Sequence, residues 1–269
     1  MKLWLAIWTL AFREVVRFAR QPSRVVAIIA SPVLFWIVIG SGLGDSFQSP
    51  TAPPTMSYIE YFFPGTMVLI VLFATVFASI SIIEDRREGF LQSVLVAPVP
   101  RSSIVLGKVL GITILALIQA DIFLLLAPFA GISISLIAFV NITLLLFLVA
   151  FGLSSMGFAI AWQMDSTQGF HAIINLFLIP MWMLSGALFP PAGAAGWVAT
   201  IMQFNPLTYG VSATRIVMYD FNADYSKGLP SLELSITVII LFCMMMLFFA
   251  VTVVLRRDRG VELGKVKSK

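Results

Sequence analysis

Residues 84–108, EDRREGFLQSVLVAPVPRSSIVLGK, form a long charged segment between two strongly apolar runs. Glu84, Asp85, Arg86, Arg87 and Glu88 open the segment, and Arg101 and Lys108 lie toward its end. Between them comes a short apolar-rich run broken by Pro98 and Pro100. The flanking runs, about 61–83 and 107–129, are each near the ~20 residues that cross a ~30 Å hydrocarbon core. The segment is therefore read as a water-facing loop joining two membrane spans. It is the place where a soluble partner could grip the chain.

Composition agrees with that class. Hydrophobic residues make up 59% of the chain, charged residues 11%, and the mean hydropathy is +1.00. A soluble domain carries about a quarter charged residues, so the fold class is an all-α membrane protein. The single cysteine, Cys243, cannot make an intrachain disulfide. One cysteine with one histidine does not supply the usual His/Cys zinc set. The net charge of +4 sits beside spans, which makes it a topology signal and not a nucleic-acid footprint.

Outward from the loop, hydropathy gives six spans: about 25–43, 61–83, 107–129, 136–162, 170–189 and 232–255. Residues 1–24 are expected to be an amphipathic interfacial helix and not a cleavable signal, because the apolar run comes late and no small-residue cleavage site follows. At 100° per residue, Arg13, Arg17, Arg20 and Arg24 make one stripe, and Trp4, Trp8, Ala11, Val15 and Phe18 make another opposite it. Such a helix suits the headgroup layer of a lipid bilayer. The 84–106 loop, a proline- and glycine-punctuated region at 190–231 and a basic tail at 256–269 complete the plan. Fifteen of the 17 Lys and Arg fall in the N-terminal helix, the 84–108 segment and the tail. The positive-inside rule then places both termini and that loop in the cytoplasm.

Within the loop, Phe90, Leu91, Val94 and Leu95 fall at i, i+1, i+4 and i+5, one face of a short helix that Pro98 ends. Glu84, Asp85 and Glu88 are expected near its start, where the helix dipole favours acids. The expectation is a helix with an exposed apolar face. In the 190–231 region, Trp197, Ile201 and Phe204 suggest one short helix. Asn205-Pro206 supplies an N-cap and first position for a second.

The loop pattern EGFLQSVLVAPVPRSSIVLGK resembles the intracellular loop of ABC-2 type permeases, the six-span subunits of ATP-driven exporters of drugs, lipids and polysaccharides. Three further runs share the resemblance: Phe62 to Gly65 (FFPG), Leu184 to Pro191 (LSGALFPP), and Asn205 to Tyr209 (NPLTY) with the later Arg215. It covers essentially the whole chain. One departure is Gln92, where many members carry a glutamate. The resemblance implies a coupling helix at 87–96 that docks on a cytoplasmic ATPase, with Glu84, Arg87 and Glu88 beside the four apolar residues. It also implies two ATPase copies, a second permease chain (a homodimer or related heterodimer), and a bacterial or archaeal plasma membrane. The 190–231 helices would dip into the outer leaflet as a lid, with Asn205, Pro206, Tyr209 and Arg215 as an outer gate.

No G-x-x-x-x-G-K-[ST] run occurs, so the chain has no P-loop of its own. ATP and Mg are expected on the partner, and the chain itself is expected to do no bond chemistry. The substrate path is expected along Phe73, Phe77, Phe177 and Met181, which suit an amphiphile. Asp121 is the lone acid deep in a span. Such a residue marks either a pathway or a hydrogen bond between spans. A secondary transporter coupled through Asp121 is the alternative reading, although it would want more intramembrane charges. A membrane enzyme would want clustered acids, histidines or a nucleophile with its base. A scaffold would leave the loop without purpose. Gly40-x-x-x-Gly44 and Gly107-x-x-x-Gly111 permit close helix approach, but both stand at span ends.

Overall fold

The computed structural model describes residues 2–44, 56–96, 98–219 and 228–267. Residues 45–55, with most of the first loop, and Lys227 lie outside the described residues. In chain order the helices are α1 (Lys2–Ala19), α2 (Pro22–Leu43), α3 (Tyr58–Arg87), α4 (Phe90–Leu95), α5 (Arg101–Leu124), α6 (Leu136–Gln163), α7 (Thr167–Trp182), α8 (Gly196–Phe204), α9 (Pro206–Met218) and α10 (Leu232–Lys267). No strand occurs among the described residues. Six of the helices are long and apolar enough to cross a membrane: α2, α3, α5, α6, α7 with its continuation, and α10. The molecule is a multi-pass, all-α membrane protein.

Helix starts follow local chemistry. Ser57 accepts from Glu60 N, Ser135 from Ala138 N and Ser166 from Gly169 N, so each serine satisfies an orphan N–H at the start of α3, α6 or α7. Helix ends depart from the hydropathy limits. α3 runs on to Arg87 and α5 begins at Arg101, because charged residues continue a helix once it leaves the apolar layer. The 84–106 loop thus shrinks to a linker around α4. α10 likewise carries its helix through the basic tail to Lys267.

α3 is the axis of the bundle. Within its most apolar stretch 89% of residues are buried, against 22% for α2 and α10. It packs against α2, α5, α6, α7 and α9, while α10 covers α6 and α9. α1 lies along α5, and the two glycines of Gly107-x-x-x-Gly111 are the reason it can come so close. A Cβ on Gly107 would fall 2.8 Å from Leu10 Cβ, and one on Gly111 would fall 2.8 Å from Glu14 Cβ. The other glycine pair splits: Gly40 is pressed against Ile59, whereas Gly44 faces open space.

The α1 packing face corrects the two-stripe reading. Ile7, Leu10, Ala11, Glu14 and Phe18 are buried, while Trp4, Trp8 and Phe12 are exposed. The helix has three faces: one against α5, one aromatic and free, and one of arginines. Overpacking at the glycine seam costs about 1–3 kcal/mol. Gly111→Leu is therefore expected to loosen α1. Tryptic cleavage at Arg13 and Arg17 should speed up about tenfold or more, with Gly111→Ala in between. Unchanged cleavage in both variants would remove the seam from the argument.

Candidate functional site

α1, α3 and α5 meet at the end of the bundle that carries α4, and there they bury charge. Asp85 is 0%, Lys108 1% and Glu14 3% exposed. Lys108 Nζ donates to Glu14 Oε1 at 2.6 Å and also to Asp85 Oδ2. Arg13 grips Asp85 with two prongs, at 2.9 and 3.0 Å. Arg17 reaches Asp85 at 2.5 Å and Glu84 at 2.9 Å. Ser81 Oγ completes the set, donating to Glu14 Oε2 at 2.7 Å. Three cations thus stand against Glu14, Glu84 and Asp85, so the six groups are neutral in sum, with Arg13, Arg17 and Glu84 at the partly exposed edge. The hydrogen bond to Asp85 raises the Arg13 guanidinium above its ordinary value, against the opposing pull of burial.

Glu84 and Asp85 therefore do not open the loop helix. They occupy the last turn of α3, where the helix dipole disfavours acids. The arginines of α1 and Lys108 of α5 offset that penalty. Of the three acids expected at the start of α4, only Glu88 lies beyond α3. It is 63% exposed, and Arg17 stands 3.8 Å away.

α4 hangs from this cluster. Gly89, at φ 76°, takes a left-handed conformation that most side chains resist and turns the chain after Glu88. The Arg13 guanidinium then sits 3.5 Å over the Phe90 ring, a cation–π contact that ties α4 to α1. The expected exposed apolar face turns inward: Leu91 is buried, and Phe90 and Val94 are half-buried against the core. Leu95 ends the helix. Gln92, Ser93 and Val96 are exposed instead, because a six-residue helix buries its apolar side on the nearest core. Arg87 is exposed yet already engaged. It donates to Asp165 O at 2.7 Å, while Arg86 holds the Asp165 carboxylate and the last carbonyls of α6. Asp165 thereby anchors the α6–α7 turn to α3.

At the far end the motifs repair broken backbone. Pro64 lacks an N–H, so the Glu60 carbonyl loses its helical donor. The Tyr219 hydroxyl supplies one at 2.9 Å. α7 breaks at Met183–Ala187, with Gly186 at φ 80°. Asn205 Nδ2 donates to Met181 O at 2.5 Å and Leu184 O at 2.9 Å, while its Oδ1 caps α9 at Leu207 N. Pro206 takes the first position of α9. Tyr209 closes onto Gln203 O. Arg215, 3% exposed, reaches Tyr61 O and Gly186 O and lies 4.1 Å over the Tyr61 ring.

The residues expected on a substrate path scatter. Phe73 lines a groove of about 410 Å³ between α2, α3 and α7. The Phe77 ring lies 5.9 Å from that of His171. Phe177 is exposed on another flank of α7, and Met181 is half-buried. Asp121 accepts from Thr143 at 2.9 Å, a bond between α5 and α6 away from the groove.

Comparison with known proteins follows the same outline. The family model of the ABC-2 type transporter matches residues 5–219, from α1 through α9. The chain belongs to this family. Among its relatives is a Cyanophora paradoxa protein named as a transport permease, ycf38. It is 26% identical over 229 residues, covering 84% of this chain and 79% of that one. The daunorubicin resistance ABC transporter permease protein DrrB1 of Streptomyces coeruleorubidus is 21% identical over 226 residues, covering 83% and 78%. A protein named as a multidrug ABC transporter permease, YbhR, of Escherichia coli K12 is 28% identical over 181 residues, covering 64% and 47%. As an ABC-2 permease the chain is a membrane subunit of a transporter, in a family that works with ABC ATPase partners.

Sequence reasoning missed Glu14, Ser81 and the joint role of Asp85 and Lys108 in this permease. A signal was present. Glu14 is the one acid on the α1 face formed by Ile7, Leu10, Ala11 and Phe18, and an acid on an apolar face needs a partner.

Proposed function

We propose that this ABC-2 permease exports an amphiphile, using ATP hydrolysed on a separate cytoplasmic ATPase that holds the nucleotide and Mg. Two permease chains would pair with two ATPase copies in a bacterial or archaeal plasma membrane. Both termini, α1 and α4 lie on the cytoplasmic side, as the Lys and Arg distribution indicates. The free aromatic face of α1 rests in the headgroup layer, and α8 and α9 dip into the outer leaflet as a lid.

One observation carries the reading. α4 is fastened through Phe90, Arg13 and Asp85 to α1, α3 and α5 together, so a force on α4 reaches two spans and the N-terminal helix at once. A hinge-like linker would absorb that force. This short helix, seated on rigid elements, transmits it. The docking surface is then Glu88, Gln92, Ser93 and Val96, exposed residues that, unlike Arg87, are not held by the α6–α7 turn, and Leu91 supports it from behind. The drug-resistance name of the Streptomyces relative and the apolar groove both favour an amphiphilic cargo.

The test is co-purification from native membranes in mild detergent. A P-loop ATPase is expected with the wild type. It should be lost from Glu88→Arg and Val96→Asp, whose changed side chains lie outside the core and leave the fold intact. Equal recovery of the ATPase from both variants would move the docking site elsewhere. No ATPase under any mild condition, with transport retained, would return attention to Asp121 and ion coupling.

A further inference from the structure

The arginine stripe of α1 is not wholly spent on the buried cluster. Arg13 and Arg17 are held by Asp85 and Glu84. Arg20, one residue past the end of α1, is exposed and has no ion pair among the described residues. It stands at the border of two faces. Phe12, Val16 and Arg20 follow one another at four-residue steps, each turning about 40° around the helix. The aromatic face therefore grades through Val16 into the arginines.

That border is a hollow of about 530 Å³, closed by Gln21 at the turn into α2. The volume falls in the ~300–1,000 Å³ range of small-ligand sites. Its two sides differ in chemistry. Phe12, 60% exposed, and the half-buried Val16 make one side apolar. Arg13, Arg17 and Arg20 make the other cationic. The half-buried Gln21 side-chain amide has no hydrogen-bond partner among the described residues. α2 begins at Pro22 without a side-chain cap, so its positive end adds a weak pull on an anion.

We propose that this hollow binds one anionic phospholipid of the cytoplasmic leaflet, of the phosphatidylglycerol kind. Arg20 takes the phosphate, whose oxygens match the guanidinium fork. Gln21 donates to a phosphate or ester oxygen, and the start of the acyl chains rests on Phe12 and Val16. A choline or ethanolamine head fits less well. It would bring its own cation beside three arginines, where Glu84 and Asp85 are already paired. A free phosphate would leave the apolar side bare. Because Arg17 lines the same hollow, the lipid charge lies one side chain from the cluster that seats α4. The inference rests on the headgroup-layer placement of α1 proposed above, and it requires no ATPase.

The experiment uses the purified permease in nanodiscs of phosphatidylcholine with a minor share of phosphatidylglycerol. One of the two lipids carries a diazirine near the glycerol in each run, and labelled residues are mapped by peptide sequencing. Phosphatidylglycerol is expected to label Phe12 and Val16 several-fold more than phosphatidylcholine does. Arg20→Gln should cut the phosphatidylglycerol label about fivefold, the effect of one basic residue at an anionic lipid surface. Arg256→Gln removes an equal charge from an exposed position on α10 and should leave that label within about twofold of wild type. Equal losses in the two variants would mean a diffuse charge effect and overturn the site. Loss of the label on adding inorganic phosphate would overturn the lipid as occupant. A nitroxide on Trp8→Cys tests the placement by itself, since the native Cys243 is buried. If the nitroxide lies in water, the placement fails and the site with it. If it lies in the lipid while both lipids label alike, the placement stands and the site falls.

Discussion

Lys108→Met is expected to destabilise the permease by about 3–5 kcal/mol, the usual effect of removing one partner from a buried charge pair. Methionine matches the lysine stem in bulk, so packing is nearly conserved and the loss is electrostatic. Without the ammonium, Glu14 keeps only Ser81 and the more distant Arg13 at 3.2 Å. The cluster then holds two cations against three acids, with Glu14 3% and Asp85 0% exposed. The readout is the midpoint of thermal unfolding in detergent, with the yield of monodisperse protein beside it. The double variant Glu14→Gln with Lys108→Met should recover most of the loss, because neutralising both members removes the uncompensated charge. If Lys108→Met melts with the wild type, the cluster is hydrated and cannot be the rigid seat of α4.

The same cluster shows what could and could not be read beforehand. Spans are legible because hydrocarbon imposes a length and a composition on each of them separately, so the windows about 25–43 and 232–255 can be found without knowing their neighbours. Asn205-Pro206 is legible for a similar reason: a cap and a first helical position are local chemistry. The arginine stripe of α1 is a different case. Periodicity shows Arg13 and Arg17 on one side, but their partners Glu84 and Asp85 are some 70 positions away, and no period connects them. A free basic face and a basic face satisfied by distant acids look identical in sequence. The apolar face of α4 has the same ambiguity, since Leu91 can serve a partner or its own core with the same spacing. Gly107 and Gly111 appeared weak because they stand near a span end. They matter because the neighbour they admit is α1, which is not itself a span.

Asn205→Asp is expected to be the most damaging single change at the far end, though aspartate is as good an N-cap as asparagine. The prediction separates two roles that one side chain performs. Its Oδ1 caps α9, and an aspartate oxygen would do that equally well. Its Nδ2 donates to the carbonyls of Met181 and Leu184, where α7 breaks before Gly186. Aspartate has no donor there and sets a negative charge against two carbonyl oxygens in a site only 6% exposed. Alanine loses the cap, worth about 1 kcal/mol, and leaves the carbonyls short of a donor, at about 1–3 kcal/mol for an unsatisfied buried group. Serine keeps a capping oxygen but is too short to reach the break. The expected order of stability is therefore Asn205, then Ser, then Ala, then Asp, with the aspartate variant roughly 3 kcal/mol or more below wild type. Thermal unfolding in detergent near neutral pH gives the order. Lowering the pH should recover part of the aspartate deficit, because the protonated acid regains an O–H donor and loses its charge. An aspartate variant as stable as wild type at neutral pH would mean that capping alone matters. The break in α7 would then be held by Tyr61 and Arg215 through Gly186, and not by the asparagine.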